Sequence, residues 1–202
     1  MQLIASLTSP YARKIRVLLL EKSLPFALIS ENPHEANSGV SQYNPLGKVP
    51  ALVADDGRYW FDSPVIAEYL ETLSAGPYFL PSDRLGAVEV KQIEALADGV
   101  LDAGILVLLE GRRPAEQQSG AWRARHWGKV ECGLAALEAT ITGRDWFIGG
   151  NITLADIAVG CMWAWLDFRF PNTVPKAKYP ALTTWGDKIL ARPSFVQTQP
   201  PA

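Results

Sequence analysis

The sequence predicts two domains, an α/β domain followed by an all-helical bundle. Three observations predict this. Apolar residues alternate between strand and helix periods up to about residue 73, turn formers interrupt the pattern between Ser74 and Leu85, and every later segment repeats at helical spacing. Leu3-Ile4-Ala5 reads as a short strand, and Ser9-Pro10 opens a helix whose Tyr11, Ile15, Leu18 and Leu19 share one face. Phe26-Ala27-Leu28-Ile29 is a second strand, parallel to the first by the crossover rule, with the helix packed across both. Residues 30–47 are polar and weakly helical. Ala51-Leu52-Val53 and Tyr59-Trp60-Phe61 flank Asp55-Asp56-Gly57, a hairpin signal, and a helix from Ser63 aligns Ile66, Tyr69, Leu70 and Leu73. The order is βαβ, irregular helix, ββα.

Gly76-Pro77 and Pro81-Ser82-Asp83 mark the boundary, giving a first domain over 1–75, a linker over 76–84 and a helical domain over 85–202. Ile93, Leu96, Ala97, Val100, Gly104 and Val107 line one face of a long helix; after Arg113-Pro114, Trp127, Val130, Leu134, Leu137 and Ile141 line a second. Thr153 and Asp156 match a capping box, and Ile152 and Ile157 have the spacing of a hydrophobic staple. From Ile157 through Trp165 that helix is apolar on nearly every side, so it runs through the middle of the bundle. A last helix after Pro180 carries Leu182, Trp185 and Ile189 and is expected to stop at Pro193.

Composition excludes several function classes. The chain has 202 residues, 48% of them apolar, and a net charge of -2 with no charged block, which argues against a nucleic-acid footprint. No apolar run approaches membrane-spanning length, and Met1-Gln2-Leu3-Ile4-Ala5-Ser6 is too soon interrupted for a signal peptide, so a cytoplasmic address is expected. Cys132 and Cys161 form neither a CxxC nor a metal cluster with His34 and His126, and both read as buried structural thiols. No metal site is expected. Both histidines read as surface residues, and the tryptophans at 122, 127, 163, 165 and 185 as core. Without GxSxG and with only these two histidines as candidate bases, serine hydrolase chemistry is disfavoured. Arg112 and Arg113 end a long helix, where cations complement the dipole.

One stretch points to a ligand. In Lys48-Val49-Pro50, proline cannot donate to a ladder and sits before a buried strand, and a cis Val49-Pro50 bond would turn the Val49 amide and carbonyl outward to pair with a guest peptide. In Phe61-Asp62-Ser63-Pro64, a helix start offers backbone amides to a carboxylate while Asp62 can hold an ammonium. An amino-acid head group suits that place. The structural alternatives are plain: Ser9 and Asp62-Ser63 also fit as helix caps, and Lys48 as a solvated lysine.

Ser9-Pro10-Tyr11, the run Asn44-Pro45-Leu46-Gly47-Lys48-Val49-Pro50-Ala51-Leu52, Asp62-Ser63-Pro64 and Thr153-Leu154-Ala155-Asp156 together resemble, in order and spacing, the glutathione transferase superfamily. The resemblance is to serine-type bacterial members with zeta, theta and omega-like affinities, and spans almost the whole chain. It implies a thioredoxin-like first domain and glutathione as co-substrate. Val49 would pair with the cysteinyl backbone, Asp62 and Ser63 would hold the γ-glutamyl end, Pro50 would be cis, and Lys48 would reach the glycyl carboxylate. It further implies detoxification, a homodimer, and a pocket for a small hydrophobic electrophile with Leu7, Tyr11, Leu106, Trp163 and Phe168 as wall residues. Ser9 would be the catalytic residue, donating a hydrogen bond to the glutathione thiolate. A hydroxyl cannot form a mixed disulfide, so dithiol oxidoreductase chemistry is disfavoured. A non-catalytic binding module and a glutathione-dependent peroxidase are the alternatives.

Overall fold

A computed structural model describes residues 1–35, 37–73 and 76–201. The chain divides into two units, Met1–Leu80 with Ala191–Ala202, and Pro81–Leu190.

The first unit holds β1 (Gln2–Ala5), α1 (Pro10–Glu21), β2 (Ala27–Ser30), β3 (Ala51–Val53), β4 (Tyr59–Trp60) and α2 (Ser63–Thr72), with a 3-10 turn at Gly39–Gln42 in the polar stretch. The sheet order is β2-β1-β3-β4. As the crossover rule requires, β1 and β2 are parallel, whereas β3 pairs antiparallel with both β1 and β4. Leu3, Ile4 and Ala5 on the inner strand are fully buried, while Leu28 and Ile29 on the edge strand remain partly in solvent. The helix α1 packs on α2 and, at its other side, on a short helix α7 (Pro193–Gln197).

That last contact differs from the sequence reading. The preceding helix ends at Leu190, ahead of Pro193 as expected, but Pro193 also occupies the first turn of a further helix, α7, where its missing amide is not needed. The tail, read as part of the helical domain, groups with the first unit because Arg13 Nη2 donates to Phe195 O at 3.0 Å and Arg16 Nη1 to Thr198 O at 3.2 Å.

The second unit holds α3 (Arg84–Glu110), α4 (Gly120–Ile141), α5 (Leu154–Arg169) and α6 (Pro180–Leu190). Here α3 packs on α4 and α5, and α6 packs on both α4 and α5. A Cβ at Gly133 would collide with Val100 Cγ2, so glycine permits the close α3–α4 approach. The start of α5 carries the expected capping box. The Thr153 amide and hydroxyl donate to Asp156 Oδ2 at 2.8 and 3.0 Å, and the Phe147 amide donates to Oδ1 at 3.1 Å. Burial pushes the Asp156 carboxyl up, against these hydrogen bonds, which pull it down.

Three surface assignments reverse. Cys132 is exposed, although Cys161 is buried as expected. Trp122 is 44% exposed, and His126, read as a surface residue, is buried beneath it with ring centroids 4.3 Å apart. Helical periodicity places a residue on a face but cannot say where along the helix its neighbour ends, and α4 starts beyond its apolar stripe.

Candidate active site

The strand register gathers the amino-terminal motifs. Ile4 pairs with Ala51 in antiparallel sense, so the chain leaving β1 toward Leu7 and Ser9 runs beside the chain entering β3 through Val49 and Pro50. Leu52 pairs with Trp60, so the chain leaving β4 toward Asp62 reaches the same end of the sheet.

Ser9 is the N-cap of α1, with φ -77° and ψ 123°, and its Oγ accepts the Ala12 amide at 3.2 Å. It is partly exposed, as are Leu7 and Tyr11 on either side. A serine hydroxyl has one donor and two acceptor positions. Capping uses an acceptor position and leaves the proton available.

The Val49-Pro50 peptide bond is cis. Among the described residues the Val49 amide and carbonyl have no hydrogen-bond partner. The loop before them is held by Asn44, a residue the sequence reading placed in the motif without giving it a role. Asn44 is 1% exposed; its Nδ2 donates to Lys48 O at 2.9 Å and its Oδ1 accepts the Leu46 amide at 3.0 Å. The Gly47 amide donates to Asn44 O at 2.8 Å in a turn where Gly47 takes φ +61°, a conformation open to glycine. Asn-Pro is a turn signal in its own right, and it was the available pointer to this role. Lys48 is exposed.

Asp62 is the N-cap residue of α2, yet its side chain makes no capping hydrogen bond and it is exposed. The Phe61-Asp62 bond is also cis. Ser63 is 2% exposed, and Pro64 lies in the first turn of α2. His34 is exposed and its amide donates to Asn32 Oδ1 at 3.1 Å.

The helical-unit candidates do not share one environment. Leu106 lines an open cleft of about 560 Å³ together with Leu109, Glu110, Arg113, Ser119 and Trp122. Phe168 is partly buried, with the Arg169 guanidinium carbon 4.3 Å from its ring centroid. Trp163 is 4% exposed and belongs to the core, since a Cβ at Gly186 on α6 would lie 2.6 Å from its Nε1. It is not an open wall residue. Among the described residues no helix is long and apolar enough to cross a membrane, and no group of three or more His, Cys, Asp or Glu is placed to hold a metal.

Residues 8–73 match the N-terminal domain of glutathione S-transferase, and residues 120–186 match its C-terminal domain. The GST-like protein YibF of Escherichia coli K12 is 42% identical over 201 residues, covering 100% of this chain and 99% of that protein. The chain belongs to the glutathione S-transferase family. Its relatives include the maleylacetoacetate isomerase of Pseudomonas aeruginosa, 32% identical over 96% of this chain and 92% of that one. Among solved structures, a glutathione S-transferase from Methylobacillus flagellatus with GSH bound superposes with TM-score 0.96 at 38% identity, covering 99% of each chain. One from Methylobacterium radiotolerans in complex with glutathione sulfonate gives 0.95 at 39% identity, covering 100% of this chain and 95% of that one. This family member therefore has the fold that the sequence resemblance implied, a mixed four-stranded sheet with helices followed by a helical domain.

Proposed function

We propose that the protein is a glutathione transferase in which Ser9 stabilises the thiolate of glutathione and that sulfur attacks the electrophilic carbon of a small hydrophobic compound. One observation carries the reading: the register of β1, β3 and β4 brings Ser9, the unpaired Val49 backbone and the non-capping Asp62 carboxylate to one end of the sheet. Val49 then adds the cysteinyl segment as an extra strand, Asp62 holds the γ-glutamyl ammonium, Ser63 and the start of α2 receive its carboxylate, and Lys48 takes the glycyl carboxylate. Solved relatives carrying glutathione over nearly the same length support this reading.

The Ser9 proton and the amino terminus of α1 favour the anion over the thiol. Lowering a thiol pKa by two units needs about 2.7 kcal/mol. A hydrogen bond to a charged group contributes roughly 1.5–3 kcal/mol and a helix terminus about 0.3–1 kcal/mol. Together they suffice. Catalysis is then activation plus proximity, with no covalent enzyme intermediate.

The test is the ultraviolet titration of bound glutathione and turnover with an electrophile panel, in the wild type and Ser9→Ala. Ser9→Ala should raise the bound thiol pKa by about one to two units and lower kcat/KM roughly 10–100-fold. A wild-type thiol that titrates like the free tripeptide, without turnover, would leave a binding module. Peroxide reduction without carbon conjugation would leave a peroxidase. The reading also includes a homodimer, in which a second copy covers the exposed Val65 of α2 and Leu85 and Val88 of α3; sedimentation velocity checks it.

A further inference from the structure

Two packing rules are broken side by side where the end of α3 meets the start of α4. Leu106, Leu109 and Trp122 are 38%, 41% and 44% exposed, and all three line the same open cleft of about 560 Å³. Exposed apolar residues scattered singly need no explanation, but gathered in one concavity they mark a binding surface. Beneath the indole lies the second anomaly. His126 is 5% exposed, and among the described residues neither of its ring nitrogens has a hydrogen-bond partner. A buried imidazole without partners costs stability, and such costs are retained at functional sites. Its ring packs against the Trp122 indole with centroids 4.3 Å apart, while Ser119 Oγ accepts the Trp122 amide at 3.2 Å. The indole is thereby held as a plate beside the cleft.

The polar rim of the cleft is cationic. Glu110, its one carboxylate among the described residues, is buried: Oε1 accepts the Ser119 amide at 2.7 Å and Oε2 accepts Arg113 Nη1 at 3.4 Å. Both carboxylate oxygens are therefore occupied. The Arg113 side chain is half-exposed and, among the described residues, uses only Nη1 in that bond. Arg123 stands close by, since its Nη1 donates to Gln118 Oε1 at 3.5 Å while Gln118 Nε2 donates to Arg113 O at 2.8 Å and Gly111 O at 3.2 Å. A planar guanidinium fork suits a carboxylate, and an indole plate with leucines around it suits a flat ring system. We propose that Leu106, Leu109, Arg113 and Trp122 form a binding site for two-ring aromatic carboxylates, with the rings on Trp122 and the charge on Arg113, separate from the glutathione site. Its described lining comes from α3, α4 and their connection alone, so the site stands whether or not the glutathione reading holds. The surface assigned to a second copy, at Leu85 and Val88, lies near the other end of α3, roughly 30 Å away at about 1.5 Å per residue.

Calorimetric titration of the full chain with β-naphthoate and with the neutral β-naphthamide tests it. The carboxylate should bind the wild type about tenfold more tightly than the amide, the worth of one charge-assisted hydrogen bond. Arg113→Gln should remove that preference and leave the amide affinity unchanged, whereas Trp122→Leu should weaken both compounds roughly tenfold. Saturating S-hexylglutathione, whose peptide and alkyl chain would fill the glutathione and electrophile positions, should leave naphthoate affinity unchanged. Equal binding of the two compounds to the wild type, or binding of neither, overturns the proposal. So does naphthoate binding that both variants leave intact, because the ligand then sits elsewhere. Competition by S-hexylglutathione would put the naphthoate in the electrophile pocket and overturn the separate site without harming the glutathione reading. If S-hexylglutathione itself does not bind, that reading fails and the two variants still decide this one. Should Trp122→Leu not fold, Leu106→Asn at its exposed position takes its place with the same expected loss.

Discussion

A hydroxyl at a helix start serves two partners when its acceptor and donor functions point to different groups. Ser9 accepts from Ala12, so Ser9→Ala should cost stability as well as activity, about 1 kcal/mol by the usual worth of an N-cap. Urea unfolding without glutathione reads that loss separately from turnover. Asn44 acts one step removed, fixing Lys48 and Leu46 on the approach to Val49. Asn44→Ala should lower stability by about 1–3 kcal/mol through the bonds left unmade. It should also raise KM for glutathione more than it lowers kcat, which steady-state kinetics would show. His126 gives the opposite kind of signal. Burial, then Lys129 and Arg125, hold its pKa below the ordinary value of 6.5, and among the described residues neither ring nitrogen has a partner. The folded state therefore resists a proton that the unfolded chain accepts. Stability should fall as pH drops below 6.5 and level off below the depressed folded pKa. His126→Gln should flatten that segment of the melting temperature against pH; an unchanged slope would remove His126 as its cause.

At the scale of elements, periodicity and caps carried most of the fold. Ser9-Pro10 and the Thr153–Asp156 pair each set a helix start through groups within three residues, Pro64 stands in the first turn of α2 without help from the Asp62 side chain, and such signals are legible locally. The hairpin and the parallel β1–β2 pair were legible for the same reason, since turn chemistry and crossover handedness leave few alternatives. What could not be read were contacts made across the chain. Glu21 at the end of α1 accepts Arg192 Nε at 2.9 Å, Arg192 Nη2 at 2.7 Å and Ser194 Oγ at 2.6 Å, partners more than 170 residues away. Burial would raise the Glu21 pKa, but these bonds outweigh it and hold the carboxyl below its usual range. The folded pKa is depressed, so the stabilisation is present above the ordinary glutamate value and is lost as pH falls through the folded one. Arg192→Ala should cost about 2 kcal/mol at neutral pH and progressively less in acid, measured by urea unfolding across pH. A cost independent of pH would mean that the arginine acts by packing alone.

At the scale of the whole molecule, the chain begins in one unit, forms the second from Pro81 to Leu190, and returns to the first for its last residues. Pro81-Ser82-Asp83 punctuates the sequence where the second unit begins; the return had no comparable punctuation, and Pro193 there suggested an end rather than a new helix. The returning segment contributes Phe195, which is fully buried, acceptors for Arg13 and Arg16, and the Arg192 and Ser194 groups that meet Glu21. Removing residues 191–202 therefore strips one side of α1. Loss of the Phe195 side chain alone is worth about 3–5 kcal/mol in a core, and that is a large part of the stability of a small domain. Hydrogen exchange on the truncated chain should show lost protection in α1, β1 and β3, while the amides of α5, anchored by Asp156 inside the second unit, keep theirs. Equal loss in both units would mean that they unfold as one cooperative body. Retained protection of α1 would mean that its remaining contact with α2 is sufficient to hold it.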